Sequence, residues 1–219
     1  MEYSVPMKRL IYCVILVFAF LSTITAQTEP ARLQTAEPDD QYPTDPGSGD
    51  SQGYQPIRKG DQYIRVALGI EVPLFNIGPD GVETETNMNL GGAGIIGYSR
   101  FITPRVSLGG ELAFAFNSTL GENIYLALPL TLKGTYEFVI GNFRVPVSLG
   151  IGGAFHSYRS RYYFGPVVKP EIGAYFQYSP EWSFGAATAW NMLPQWYDNS
   201  EDNRIGNLLD VTIGLRYHF

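Results

Sequence analysis

From Asp61 to the C-terminus, apolar and polar residues alternate with a period of two, the spacing of a β-strand with one apolar face, and no segment sustains a helical period. Ile64, Val66, Leu68, Ile70, Val72 and Leu74 fall on one face of the first stretch, with Arg65, Ala67, Gly69 and Glu71 opposite. The pattern returns at 106–116, where Leu108, Leu112 and Phe114 oppose Gly109, Glu111 and Ala113. It returns at 124–138, where Leu128, Leu130 and Leu132 oppose Thr131 and Lys133, and at 143–152, where Val145, Val147 and Leu149 oppose Arg144 and Ser148. The last stretch, 209–219, sets Leu209, Val211, Ile213, Leu215, Tyr217 and Phe219 against Asp210, Thr212, Gly214, Arg216 and His218.

Three further stretches are less regular: a glycine-rich one at 88–100, where a bulge or bend is expected, one at 164–178 and one at 182–192. Together they predict an all-β chain of eight antiparallel strands. Long or polar links at 76–87, 117–123, 156–163 and 193–206 alternate with tight ones at 101–105, 139–142 and 179–181, which carry Thr103-Pro104, Gly141-Asn142 and Ser179-Pro180-Glu181. Long links on one end and short turns on the other suit an up-and-down transmembrane barrel with both chain ends on the short-turn, periplasmic side.

Alternation is also the signature of a soluble barrel such as a lipocalin, and the polar face separates the two. A water-facing surface would be rich in Lys, Glu and Gln, whereas this face is mostly Gly, Ala, Ser and Thr with isolated charges. Eight strands leave a lumen only wide enough for side chains, so these positions are expected to point inward and the charges to pair. Arg65, Lys133, Lys169, Arg144 and Arg216 match Glu71, Glu111, Glu137, Glu171 and Asp210 in number, and form the expected lumen charge network. A hairpin turn at 140–141 would make Glu137 and Arg144 direct cross-strand neighbours, their charged groups within about 4 Å. The apolar faces carry no charge, and Tyr98, Phe101, Phe138, Phe143, Tyr178, Trp182, Tyr217 and Phe219 gather near the short turns, where an interfacial aromatic belt is expected.

The N-terminus changes the picture outside the barrel. Lys8 and Arg9, an apolar run from Leu10 to Leu21 and the small-residue stretch ending at Ala26 read as a secretory signal peptide over 1–26. Residues 27–60, rich in Pro, Gly, Ser and acids, read as a disordered acidic linker, leaving 61–219 for the barrel. The single cysteine, Cys13, lies within the apolar run, so the exported chain would hold no disulfide or thiolate site. A net charge of −6 without a basic run excludes nucleic acid as a partner.

The ending Val211-Thr212-Ile213-Gly214-Leu215-Arg216-Tyr217-His218-Phe219 resembles the C-terminal signature of bacterial outer-membrane proteins. With the signal peptide and the hairpin pattern, the chain is similar to the small eight-stranded group that includes the OmpX-, OmpA- and OmpW-type barrels. That resemblance implies that Tyr217 and Phe219 serve as a signal to the barrel-assembly machinery, that outer-membrane lipid surrounds the protein, and, for the OmpW type, that small hydrophobic compounds pass.

Some barrels of this group modify lipid A, which brings the histidines into question. His156 precedes Ser157 in an expected loop, without the His-x-Ser spacing of the similar deacylases, and His218 faces inward. No catalytic residue, cofactor or metal ligand is therefore assigned, the acidic loop of Asp198, Glu201 and Asp202 reading as a solvated one. Tyr158, Arg159, Arg161, Tyr162 and Tyr163 form a basic aromatic cluster, a candidate surface contact for lipid phosphates or a host ligand. The expected function is that of a monomeric structural or surface-interaction barrel, adhesin-like. An OmpW-like channel is the first alternative and a lipid A modifying enzyme the second.

Overall fold

The computed structural model describes residues 57–219 apart from 122, 160 and 198. The expected signal peptide and residues 27–56 of the linker lie outside the described residues, as do Asp198 and the side chains of Arg161 and Asp202. Eight long strands run antiparallel, each paired with the next: β1 (Gln62–Ile77), β3 (Gly91–Phe101), β4 (Val106–Ser118), β5 (Ile124–Ile140), β6 (Phe143–Tyr158), β7 (Arg161–Gln177), β8 (Trp182–Gln195) and β9 (Arg204–His218). A two-residue strand, β2 (Glu83–Thr84), extends the far end of β1. Pairing of β1 with β9 from Tyr63↔His218 to Ile77↔Ile205 closes the sheet, so the long strands leave no free edge.

The alternating pattern produces this closure because it gives every strand one face that tolerates hydrocarbon and one that fills a narrow bore. Outward aliphatic and aromatic side chains stand exposed over the whole wall, Leu132 at 77% and Ile213 at 72% among them. An apolar surface that continuous does not belong in water; it is the lipid-facing band of a membrane-spanning barrel. Where two strands meet, an outward ring lies over a glycine, as Phe114 lies over its cross-strand partner Gly94, where a Cβ would come within 2.1 Å of the ring.

Several local expectations change. The glycine-rich strand β3 is neither bulged nor interrupted; its register with β1 and β4 runs without a break. The irregularity falls in β1 between Pro73 and Phe75, where proline cannot supply a ladder donor, so Leu74 leaves the alternation of the preceding residues. The expected 156–163 loop is instead strand, β6 and β7 being joined by two residues only, with Arg159 at φ 48°. The outward face stays aromatic here, with Phe155, Tyr162 and Phe164 exposed, so the polar residues between them did not mark a loop.

Gly141 and Asn142 make the β5–β6 turn, Gly141 at φ 58°, and the register is Ile140↔Phe143. Arg144 therefore sits opposite Val139, and Glu137 opposite Pro146, so the expected direct pairing is corrected to a diagonal one. Phe101 leaves the expected aromatic belt: at 1% exposed it points inward and packs on Tyr63 and Ile57. Ile57 and Gly60, placed at the end of the expected linker, are part of this packing, with the Gly60 N–H donating to the Phe101 carbonyl at 2.8 Å.

Candidate functional site

Inward residues form layers along the bore. At the short-turn end Tyr63, Phe101 and Ile57 cluster, Tyr63 also facing the ring of His218 at 5.6 Å. Just above, Glu137 accepts from Arg144 at 3.2 Å and from Arg216 at 2.7 Å, both guanidiniums fully buried. Arg216 also lies over the ring of Tyr175 at 3.8 Å, a position that a buried cation takes when the ring face replaces lost water. Across the middle, Glu111 receives Lys133 at 2.7 Å, Lys169 at 2.9 Å and Arg65 at 3.2 Å, while Glu171 receives Arg65 at 2.7 Å and Lys133 at 2.9 Å.

Asp210 continues the network through Lys169 at 3.5 Å and Asn191 at 2.9 Å, and Glu71 lies opposite Asp210 in the β1–β9 register. The ten charges that the alternation placed inward are all buried. They come from β1, β4, β5, β6, β7 and β9, so side chains far apart in sequence cross-link the wall from inside. Burying these charges costs desolvation that such partnering offsets, except at Glu71. There the expected pairing is corrected: Glu71 forms no ion pair among the described residues, and its Oε1 is buried without a hydrogen-bond partner beside the carboxylate of Asp210.

Above the ions the bore turns apolar: Ala154, Val167, Leu193 and Leu208 form a buried cluster against which Met88 and Tyr125 pack. Over this floor opens a cavity of about 870 Å³ at the long-link end, its wall including His156, Tyr163, Gln195, Tyr197 and Arg204. His156 is buried in the wall rather than displayed on a loop, and shares a hydrogen bond between its Nδ1 and the Tyr125 hydroxyl. Ser157, the next residue along the strand, takes the opposite phase.

Of the candidate surface cluster, Tyr162 stands outside, exposed and stacked on Phe155 at 5.6 Å, whereas Tyr163 turns inward and accepts from the Trp196 N–H at 2.8 Å. Arg159 lies over the Tyr158 ring at 5.4 Å. Of its described side chains, Tyr162 and Tyr163 are thus divided between the two faces of β7, because alternation continues through 162–164. At the seam, Gln62 and Phe219 exchange backbone hydrogen bonds at 3.0 Å, and Tyr217 packs between Trp182 and Phe219. The reading of the sequence missed Arg204, Gln195, Tyr197 and the apolar floor. The available signal was that Val167, Leu193 and Leu208 break the small-or-charged habit of the inward positions.

A family model matches residues 39–217 of the chain. An uncharacterized protein of Treponema pallidum (strain Nichols) is 36% identical over 176 residues, which cover 76% of this chain and 80% of the relative. The chain belongs to that protein's family. Among solved structures, this family member is similar to Neisserial surface protein A, with a TM-score of 0.58 and 11% identity over 74% of the chain and all of the match (100%). It is also similar to the outer membrane protein OprG from Pseudomonas aeruginosa, with a TM-score of 0.51 and 15% identity over 78% of the chain and 99% of OprG. At these identities the likeness is one of fold: the chain has the architecture of small eight-stranded outer-membrane β-barrels.

Proposed function

We propose that this chain is a sealed barrel of the bacterial outer membrane that acts at its long-link end, as a structural and surface-contact protein rather than a pore. The observation that carries the reading is the crossing of the bore by Arg65, Glu111, Lys133, Lys169 and Glu171, whose mutual ion pairs occupy the width that a solute would need. Opening a path would separate buried charges from their partners, at a cost of several kcal/mol per ion. Both ends of the barrel domain lie at the short-turn end, which is the periplasmic side in this reading, and Tyr217 and Phe219 address the assembly machinery. The exposed Tyr162 and the Arg159–Tyr158 pair then stand on the cell surface, available to a lipid phosphate or a host ligand.

Conductance in a planar bilayer tests this. The purified chain is expected to insert without discrete openings, and reproducible openings blocked by a small hydrophobic solute would favour the OmpW-like channel instead. That second reading draws on one feature, the apolar floor of the loop-end cavity.

A further inference from the structure

The loop-end cavity has features that a sealed, purely structural barrel does not require. His156 is 4% exposed, its Nδ1 is taken by Tyr125, and its Nε2 is buried without a hydrogen-bond partner. We assign the Tyr125 hydroxyl as the donor to Nδ1, which places the proton of the neutral ring on Nε2. His156 lines the cavity, and its Nε2–H so assigned is closed off without an acceptor, so a ligand head meets it once the wall gives slightly, and a buried donor left unmet favours that contact.

The charge of the wall points the same way. Among the described lining residues Arg204 bears the formal charge and none is Asp or Glu. Arg204 makes no ion pair among the described residues; Nε donates to Gln195 Oε1 at 2.8 Å and Nη2 to the Tyr197 hydroxyl at 3.3 Å. Tyr197 in turn donates to Gln195 at 2.8 Å and lies under the guanidinium at 5.7 Å, so the cation is held in place before any ligand arrives. Below this polar ring Leu193 and Leu208, each 1% exposed, offer an apolar bed, and Met88 packs against the same cluster. A volume of about 870 Å³ accommodates a small molecule and not a peptide segment with its own fold.

We propose that this cavity binds a small amphipathic carboxylate, its anionic head engaged by Arg204 and the His156 Nε2–H and its apolar body resting on Leu193 and Leu208. The site takes a ligand from the outer side and retains it, since the ion-pair layer lies beneath; it stands whether or not the barrel also contacts a surface partner.

The full chain, refolded in lipid nanodiscs, is titrated with 4-phenylbutyrate, 4-phenylbutan-1-ol and 4-phenylbutylamine, with empty nanodiscs subtracted. Saturable binding of the acid is expected, with the alcohol and the amine weaker by about tenfold, the loss of one charge-assisted contact. R204Q and H156F should each weaken the acid by a similar factor, while R105Q, an exposed arginine at the opposite end, should leave it unchanged. Should R204Q fail to regain the heat-shifted migration of a folded barrel, L193W, which fills the floor and keeps the rim charge, is expected to abolish binding. Equal binding of acid and alcohol, or binding insensitive to R204Q or to L193W, or no saturable binding at all, overturns the proposal.

Discussion

Glu137 illustrates how much a single inward side chain carries. It holds Arg216 at 2.7 Å and Arg144 at 3.2 Å, and a neutral amide there would leave Arg216 buried without its counter-ion. Glu137→Gln is expected to lower unfolding free energy by about 3 kcal/mol, read from urea titration in lipid vesicles. Replacing Glu137 and its shorter-bonded partner with apolar residues, Glu137→Leu with Arg216→Met, should cost less than the two single changes summed, because Arg216 is then not stranded and Arg144 alone loses its contact with Glu137. A double variant that loses the full sum would mean that the ions stabilise the wall beyond their own desolvation. The identity of these inward residues was legible from parity alone, since a period of two fixes the face of each residue once one is known. Apart from Glu137 and Arg144, expected within about 4 Å and found at 3.2 Å on a diagonal, their partners were not: Glu111 meets Arg65, Lys133 and Lys169 from three different strands, and sequence spacing carries no information on which side chains converge across a bore.

At the scale of the strand, legibility followed the bilayer. The membrane-crossing parts of β1, β4, β5, β6 and β9 had to keep an apolar outer face, and those were the stretches with clear alternation. Toward the long-link end polar residues enter between the outward aromatics Phe155, Tyr162 and Phe164, a less regular stretch in which β6 and β7 continue to Tyr158 and from Arg161 where the sequence suggested a loop. The β5–β6 register was missed by a small step because the turn uses Gly141 in the left-handed region and Asn142, not the pair before it. The candidate cavity lies in this less constrained zone, which explains why its residues carried so little signal. The lipid face itself makes a direct prediction: Leu132→Arg, on an outward position 77% exposed, should destabilise the barrel in vesicles by about 2–4 kcal/mol if it lies near the midplane. An equally tolerated Arg would place that wall in water.

For the molecule as a whole, closure is the event on which the rest depends. β1 and β9 meet along a seam from Tyr63↔His218 to Ile77↔Ile205, and the last residue, Phe219, is tied to Gln62 by two backbone bonds. On the proposal that Phe219 addresses the assembly machinery, deleting it is expected to reduce the folded, heat-shifted form in cells severalfold, while refolding of purified chain into detergent is largely retained. Equal losses in both settings would assign Phe219 to the seam and not to recognition. Proteolysis of intact cells should cut the 196–203 link and spare the 178–181 turn if the long-link end faces outward.

The ionic layer also has a bearing on how the wall can be completed. Arg65 reaches Glu171 across 106 positions and Glu137 reaches Arg216 across 79, so early staves hold their counter-charges in trust for staves that arrive last. A partly wound cylinder would present bare ions to hydrocarbon and be expelled from it. Completion of the wall is therefore expected to be close to all-or-none, with few half-closed cylinders along the way.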